Sequence, residues 1–122
     1  MTILSIYKQL ILMFIILMVC IFHWQWNETR DMDLYTENYL NQQIQSGNYK
    51  ALSNISGNKK IFRLLSKSRR ITISSSSDNQ GSGNVAYFTA RINRSKNFYG
   101  ITLKVKSALF HKFSMKKIVS ND

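Results

Sequence analysis

The sequence predicts an α+β fold: one amino-terminal transmembrane helix, then a helix packed on an antiparallel meander sheet of about five strands. Three observations carry this expectation. Residues 10–22 form an unbroken apolar block, LILMFIILMVCIF; a stripe of apolar side chains at helical spacing follows over residues 27–46; and from Lys60 onward the apolar period reads as two. About 95 residues remain after the block, room for one small domain with one modest core.

A bilayer core needs about 20 mostly apolar residues as a helix, and residues 10–22 alone fall short of that. Extended from Ile3 to Trp26, the segment is interrupted only by Ser5, Lys8, Gln9, His23 and Gln25. Leu10, Ile11, Leu12, Phe14, Ile15, Ile16, Leu17, Val19, Ile21 and Phe22 supply its lipid-facing wall. Lys8 can snorkel, while Tyr7, Trp24 and Trp26 stand where interfacial aromatic belts form. The competing expectation is a cleaved secretory signal. Its peptidase needs small residues after the core, and here the exit is Phe22-His23-Trp24-Gln25-Trp26, which predicts an uncleaved anchor over residues 1–26. Cys20 follows Leu17-Met18-Val19, close to a lipidation box except that Val19 is not small. Lys8 and the α-amine precede the span, whereas Arg30 is accompanied after it by Glu28, Asp31, Asp33 and Glu37. That balance predicts a single-pass membrane protein with its amino end cytoplasmic and its carboxy-terminal domain on the far side of the bilayer.

Residues 27–46 are the expected amphipathic helix or linker. Met32, Tyr35, Tyr39, Leu40 and Ile44 recur at spacings of three and four, so they share one face. Glu28, Asp31 and Asp33 would occupy its first turns, where the helix dipole favours acids, and Ser46-Gly47-Asn48 supplies a stop. This stripe either packs on the following sheet or meets a partner helix, and the helix either continues the anchor or turns onto the sheet.

Residues 47–122 are expected to form a basic antiparallel β domain. Residues 61–65, 70–75, 84–92, 98–106 and 110–119 are each rich in β-branched or aromatic residues and are separated by turn formers. In the fourth stretch Tyr99, Ile101, Leu103 and Val105 oppose Thr102, Lys104 and Lys106, a half-buried alternation. The third is apolar on both faces and reads as central. The SSSSDNQGSGN connection is a hairpin loop with glycines at positive φ or a flap beside a binding site, and residues 93–97 form a polar tight turn.

Charge is segregated. Residues 23–46 hold one Arg against four acids, net −3, while residues 47–122 hold fifteen Lys or Arg against Asp78 and Asp122, net +13. A field of that sign attracts anionic head groups, envelope polymers, nucleic acid or an acidic protein face, or it is a solvated strand surface. Acid–base catalysis usually takes a placed His, Glu or Asp, and from Gly47 onward only His111, Asp78 and Asp122 exist. With no phosphate loop, His-Glu-x-x-His or Gly-x-Ser-x-Gly motif, and with Cys20 the sole cysteine, the expectation is no enzyme, no cofactor and no metal.

Interaction is what remains. Tyr87, Phe88, Phe98 and Tyr99 interleave with Arg91, Arg94 and Lys96 as base-stacking platforms do, but that needs a cytoplasmic domain, so nucleic acid is disfavoured. The expected partner is a membrane protein, met through Tyr35, Tyr39, Tyr87, Phe88, Arg91, Tyr99 and Ile101, with oligomeric state open. A component of an envelope secretion or conjugation machine and an immunity or exclusion protein are the alternatives.

The short anchor, Ile71-Thr72-Ile73 leading into Gly81-Ser82-Gly83-Asn84-Val85, then Ala90-Arg91-Ile92 and Tyr99-Gly100-Ile101-Thr102-Leu103, together resemble the small FidL-like inner-membrane proteins. These are similar in layout to the accessory partners of ToxR-type membrane-bound transcription factors. The resemblance covers residues 1–26 and 70–110. It implies a mechanism without catalysis, in which the exported sheet pairs with the exported domain of a one-span activator and favours its folded or dimeric state. This chain lacks the exported cysteine pair that some such partners carry, which argues against disulfide-based sensing.

Overall fold

In a computed structural model that describes residues 2–120, the chain is α+β, with helices packed on one face of a four-stranded antiparallel sheet. Met1, Asn121 and Asp122 lie outside the described residues. The elements are α1 (Ile3–Ser46), α2 (Tyr49–Ile55), α3 (Lys59–Lys67), β1 (Ile73–Ser75), β2 (Val85–Ile92), β3 (Tyr99–Ser107) and β4 (Lys112–Ser120), and the strands neighbour one another in chain order.

Anchor and amphipathic helix are one element. The 44 residues of α1 run without a break for about 66 Å at 1.5 Å per residue. Thr2 caps its start, its side chain accepting from the Ser5 amide. Gly47 ends it at φ 69°, with Gly47 N–H donating to Ile44 O and Asn48 N–H to Gln43 O, the paired bonds of a Schellman stop. The stop at Ser46-Gly47-Asn48 thus falls where the sequence places it. Glu28, Asp31 and Asp33 are not in the first turns of a helix as expected: α1 begins at Ile3, so these acids lie mid-helix, far from any N-terminal partial charge.

Residues 61–65 are helical rather than the first strand of a meander. Asn58 accepts from the Ile61 amide at 2.9 Å and starts α3, whose Ile61 and Leu65, four apart, are both buried. Five residues fit a period of two and a helical face equally well, and the cap decides between them. The sheet accordingly has four strands, close to the five expected. Between α1 and α3, α2 is capped by Asn48 and buries Leu52 and Ile55.

The core lies between helices and sheet. Met32, Leu40, Leu52, Ile61, Leu65, Ile71, Phe88, Ile92, Ile101, Leu103 and Ile118 are fully buried, each contributing about 1.5–3 kcal/mol by leaving water. β2 points Ala86, Phe88, Ala90 and Ile92 inward; β3 points Tyr99, Ile101 and Leu103 inward, as the alternation predicts. In β4 the inward residues Phe113 and Ile118 are an odd number apart, which a plain strand forbids. A bulge reconciles them: Thr102 faces Lys117 and Leu103 faces Met115, leaving Lys116 unmatched and restoring the inward face.

Helix α1 meets the sheet with three faces. Met32, Thr36 and Leu40 are buried beneath it, the Thr36 hydroxyl satisfied by Met32 O. Tyr35 and Tyr39 pack toward β4, the Tyr35 ring 6.0 Å from that of Phe113. On the other flank Asp33, Glu37 and Asn41, four residues apart, bond the outer edge of β1: Ser75 N–H and hydroxyl donate to Asp33, Ile73 N–H to Glu37, and Ile71 N–H to Asn41, whose own amide donates back to Ile71 O.

Candidate functional site

The upper and lower ends of the domain follow from the contacts of α1. Trp24, Glu28, Thr29 and Asp31 touch Leu109, Asn79, Asp78 and His111, whereas Asn41, about three to five turns further along, touches Ile71. The 76–84 loop and the β3–β4 turn therefore lie beside the end of the apolar segment, and the β2–β3 turn lies at the opposite pole. From Ile3 to Phe22 the large apolar side chains of α1 stand 37–72% exposed, and none of its most apolar window is buried by the rest of the chain. This helix is long and apolar enough to cross a membrane.

At the near pole the 76–84 connection is fastened down. The Asn79 side chain accepts from Gly81 N–H and Tyr87 N–H and donates to Glu28, while Asp78 accepts from Thr29. A Cβ on Gly81 would overlap the Val85 carbonyl, so this close turn requires glycine, and Gly83 turns at φ 65°. Beside this loop an open groove of about 900 Å³ runs along α1, walled by Phe22, Trp26 and Leu34 and by Glu28, Asp33, Glu37 and Asp78, with Arg30 at its margin. Burial pushes the Asp33 carboxyl above its ordinary range and the charge of Glu37 adds to the rise, while the Ser75 hydroxyl and amide work against it.

Across from it, the β3–β4 turn closes on α1. His111, at φ 49°, sets Nδ1 2.7 Å from an Asp31 carboxylate oxygen, and its ring centroid lies 5.0 Å from that of Trp24. The Trp24 indole N–H donates to Leu109 O at 3.4 Å. Sequence reasoning missed this cluster because its members are 80 and 85 residues apart and no local pattern links them.

The expected interface residues fall into three groups. Phe88 and Ile101 are fully buried and Tyr99 is 6% exposed, so all three are core and offer a partner nothing to touch. The alternation of β3 sets Tyr99 and Ile101 inward, whereas β2 is apolar on both faces, so alternation alone does not say which way Phe88 points. Tyr35 and Tyr39 are half-buried against the sheet. Tyr87 and Arg91 stand on the uncovered outer face, Tyr87 lying across Gly100 and Arg91 placing its guanidinium 4.9 Å over the Phe98 ring. That face also carries Thr102, Lys104 and Lys117, and among the described residues no helix covers it.

Set against protein-family models, curated proteins and solved structures, the chain matches none of them.

Proposed function

We propose that the chain is a single-span protein of a bacterial inner membrane, its amino end cytoplasmic and its basic domain periplasmic. There it acts without catalysis as an accessory partner of another membrane protein. The observation that carries this reading is the continuity of α1: the exposed apolar half and the half packed on the sheet are one helix, with no linker to absorb rotation. A domain joined in this way holds a fixed height and facing above the bilayer. Such a joint suits a module that presents one face to a neighbour in the same membrane.

The outer sheet face, with Arg91, Lys104 and Lys117 around Tyr87 and Thr102, fits an acidic partner surface. A partner that binds only the assembled state of an activator raises the population of that state by mass action, which is the mechanism the FidL-like resemblance implies. Two measurements test the proposal. Compartment-specific reporters fused after β4 should be active only when they are of the exported kind. A photo-crosslinker at Thr102 should join the chain to one membrane protein, and the same probe at Gln42 on α1 should not. Activity of the cytosolic reporter, or equal crosslinking from both positions, would overturn it.

A further inference from the structure

The β3–β4 turn holds two large apolar side chains that the fold leaves in water. Leu109 is 72% exposed and Phe110 71%, side by side at the tip of a hairpin. Removing two such groups from water is favourable, so a tip of this composition gains by finding an apolar phase. Its position is fixed by bonds rather than by flexibility. Trp24 donates to Leu109 O, Trp24 and His111 are in ring contact, and Asp31 takes the other side of His111. The tip is thus held at the level of Trp24, directly after the apolar run of α1. At the same level Phe22 and Trp26 are 63% and 80% exposed. Lys106 and Lys112 flank the turn, both exposed, and Lys106 is the unmatched residue of a second bulge between Val105 and Ser107.

We propose that Leu109 and Phe110 form a second membrane contact, a hairpin tip that enters the interfacial layer of the same bilayer that α1 crosses. Lys106 and Lys112 meet anionic lipid phosphates there. The occupant is lipid, because the patch is continuous with the exposed apolar surface of α1 and its cations match an anionic head-group layer. Two contacts, the span and the tip, stop the domain from tilting about α1 and leave the outer sheet face free. This inference rests on α1 spanning the membrane, and the experiment separates the two.

The full chain, carrying Cys20→Ser and Ala108→Cys, is labelled with an environment-sensitive fluorophore and reconstituted into phosphatidylcholine vesicles containing phosphatidylglycerol. Brominated lipids serve as quenchers, and Asn97→Cys provides a label at the far pole. Quenching at position 108 and not at 97, reduced several-fold by Leu109→Ser with Phe110→Ser, is the expected result. Those two side chains carry no core packing, so the doubly substituted chain should keep its thermal midpoint. If the chain resists alkaline extraction from the vesicles but the label at 108 is unquenched, the span stands and the tip proposal falls. A blue-shifted label at 108 that brominated lipid does not quench marks a protein contact and also overturns it. Release of the whole chain by alkali removes the span and the tip together.

Discussion

The Ile73 amide donates to the Glu37 carboxylate at 2.6 Å, and this bond is the middle rung of a ladder that closes the edge of β1 from a helix. Four helical residues rise about 6 Å and two strand residues about 6.6 Å, so Asp33, Glu37 and Asn41 keep step with Ser75, Ile73 and Ile71 as the two elements run antiparallel. Thr72 and Ser76 use their backbone toward β2 and its turn, through Asn93 N–H to Thr72 O and Ser76 N–H to Thr89 O. Each backbone edge of β1 is thereby occupied, one by a strand and the other by side chains.

Glu37→Ala removes the acceptor and leaves the Ile73 N–H part-buried without a partner. A loss of about 1–3 kcal/mol is expected, with Glu37→Gln costing less than about 1 because it keeps an oxygen in place. Chemical unfolding of the detergent-solubilised chain measures both. Amide exchange at Ile73 should accelerate in the Ala variant well before exchange at Phe88 does.

Asp33 sets a pH dependence whose sign follows from its raised carboxyl. Desolvation is the main cause, with the charge of Glu37 adding to it. The folded state then holds the proton more tightly than the unfolded chain, whose value is near 3.8. Between that value and the raised one, stability falls as pH increases, and above the raised value this contribution is flat. Asp33→Asn removes the ionisable group and keeps an acceptor for Ser75. It should equal or exceed the parent at neutral pH by less than about 1 kcal/mol, since water screens part of the carboxylate. The difference should close on acidification toward pH 4. Paired melting curves across pH read this directly, and an advantage that grew in acid would refute the assignment.

The β2–β3 turn places Asn93 at φ 55° and Arg94 at φ 59°, with Ser95 N–H donating to Ile92 O, a type I′ geometry. Asn93 suits its position and also bonds Thr72 N–H and Ser68. Arg94 is strained there, because its Cβ crowds the backbone in the left-handed region. Arg94→Gly should stabilise the domain by about 0.5–1 kcal/mol after the entropy cost of glycine is subtracted, seen as a higher thermal midpoint.

The elements with local signatures were legible from sequence. The apolar block with its tryptophans marked the exposed helix, Gly47 marked its end, and the alternation of β3 gave the inward faces of Tyr99, Ile101 and Leu103. What failed to show was set at long range. The continuity of α1 through residues 23–31 carries no local mark, since polar and aromatic residues there serve a helix or a turn equally well. Residues 61–65 were too few to separate two periods. The polar triplet Asp33, Glu37 and Asn41 lay in plain view at spacings of four. Asp33 read as a helix-dipole acid and Glu37 as part of a charge balance, because the partners of the triplet are 30 to 42 residues away. The Trp24, Asp31 and His111 cluster was hidden for the same reason.

The rigid joint between span and domain makes a geometric prediction. Seven residues of Ala, Glu and Lys inserted between Trp26 and Asn27 extend α1 by two turns, lifting the domain about 10 Å while rotating it by only about 20°. Trp24 then loses both its exposed bond to Leu109 and its ring contact with His111, together about 1–2 kcal/mol, while the core beneath the sheet is untouched, so the domain should stay folded. Its height above the bilayer should not be preserved. Crosslinking from Thr102 to a membrane-embedded partner should fall several-fold, because the outer sheet face no longer stands opposite its target. A seven-residue Gly-Ser insertion at the same site is a flexible tether that lets the face settle back, and it should restore much of the yield. Equal crosslinking by the parent and the helical insertion would mean that height does not matter, and the argument from the continuous helix would fail.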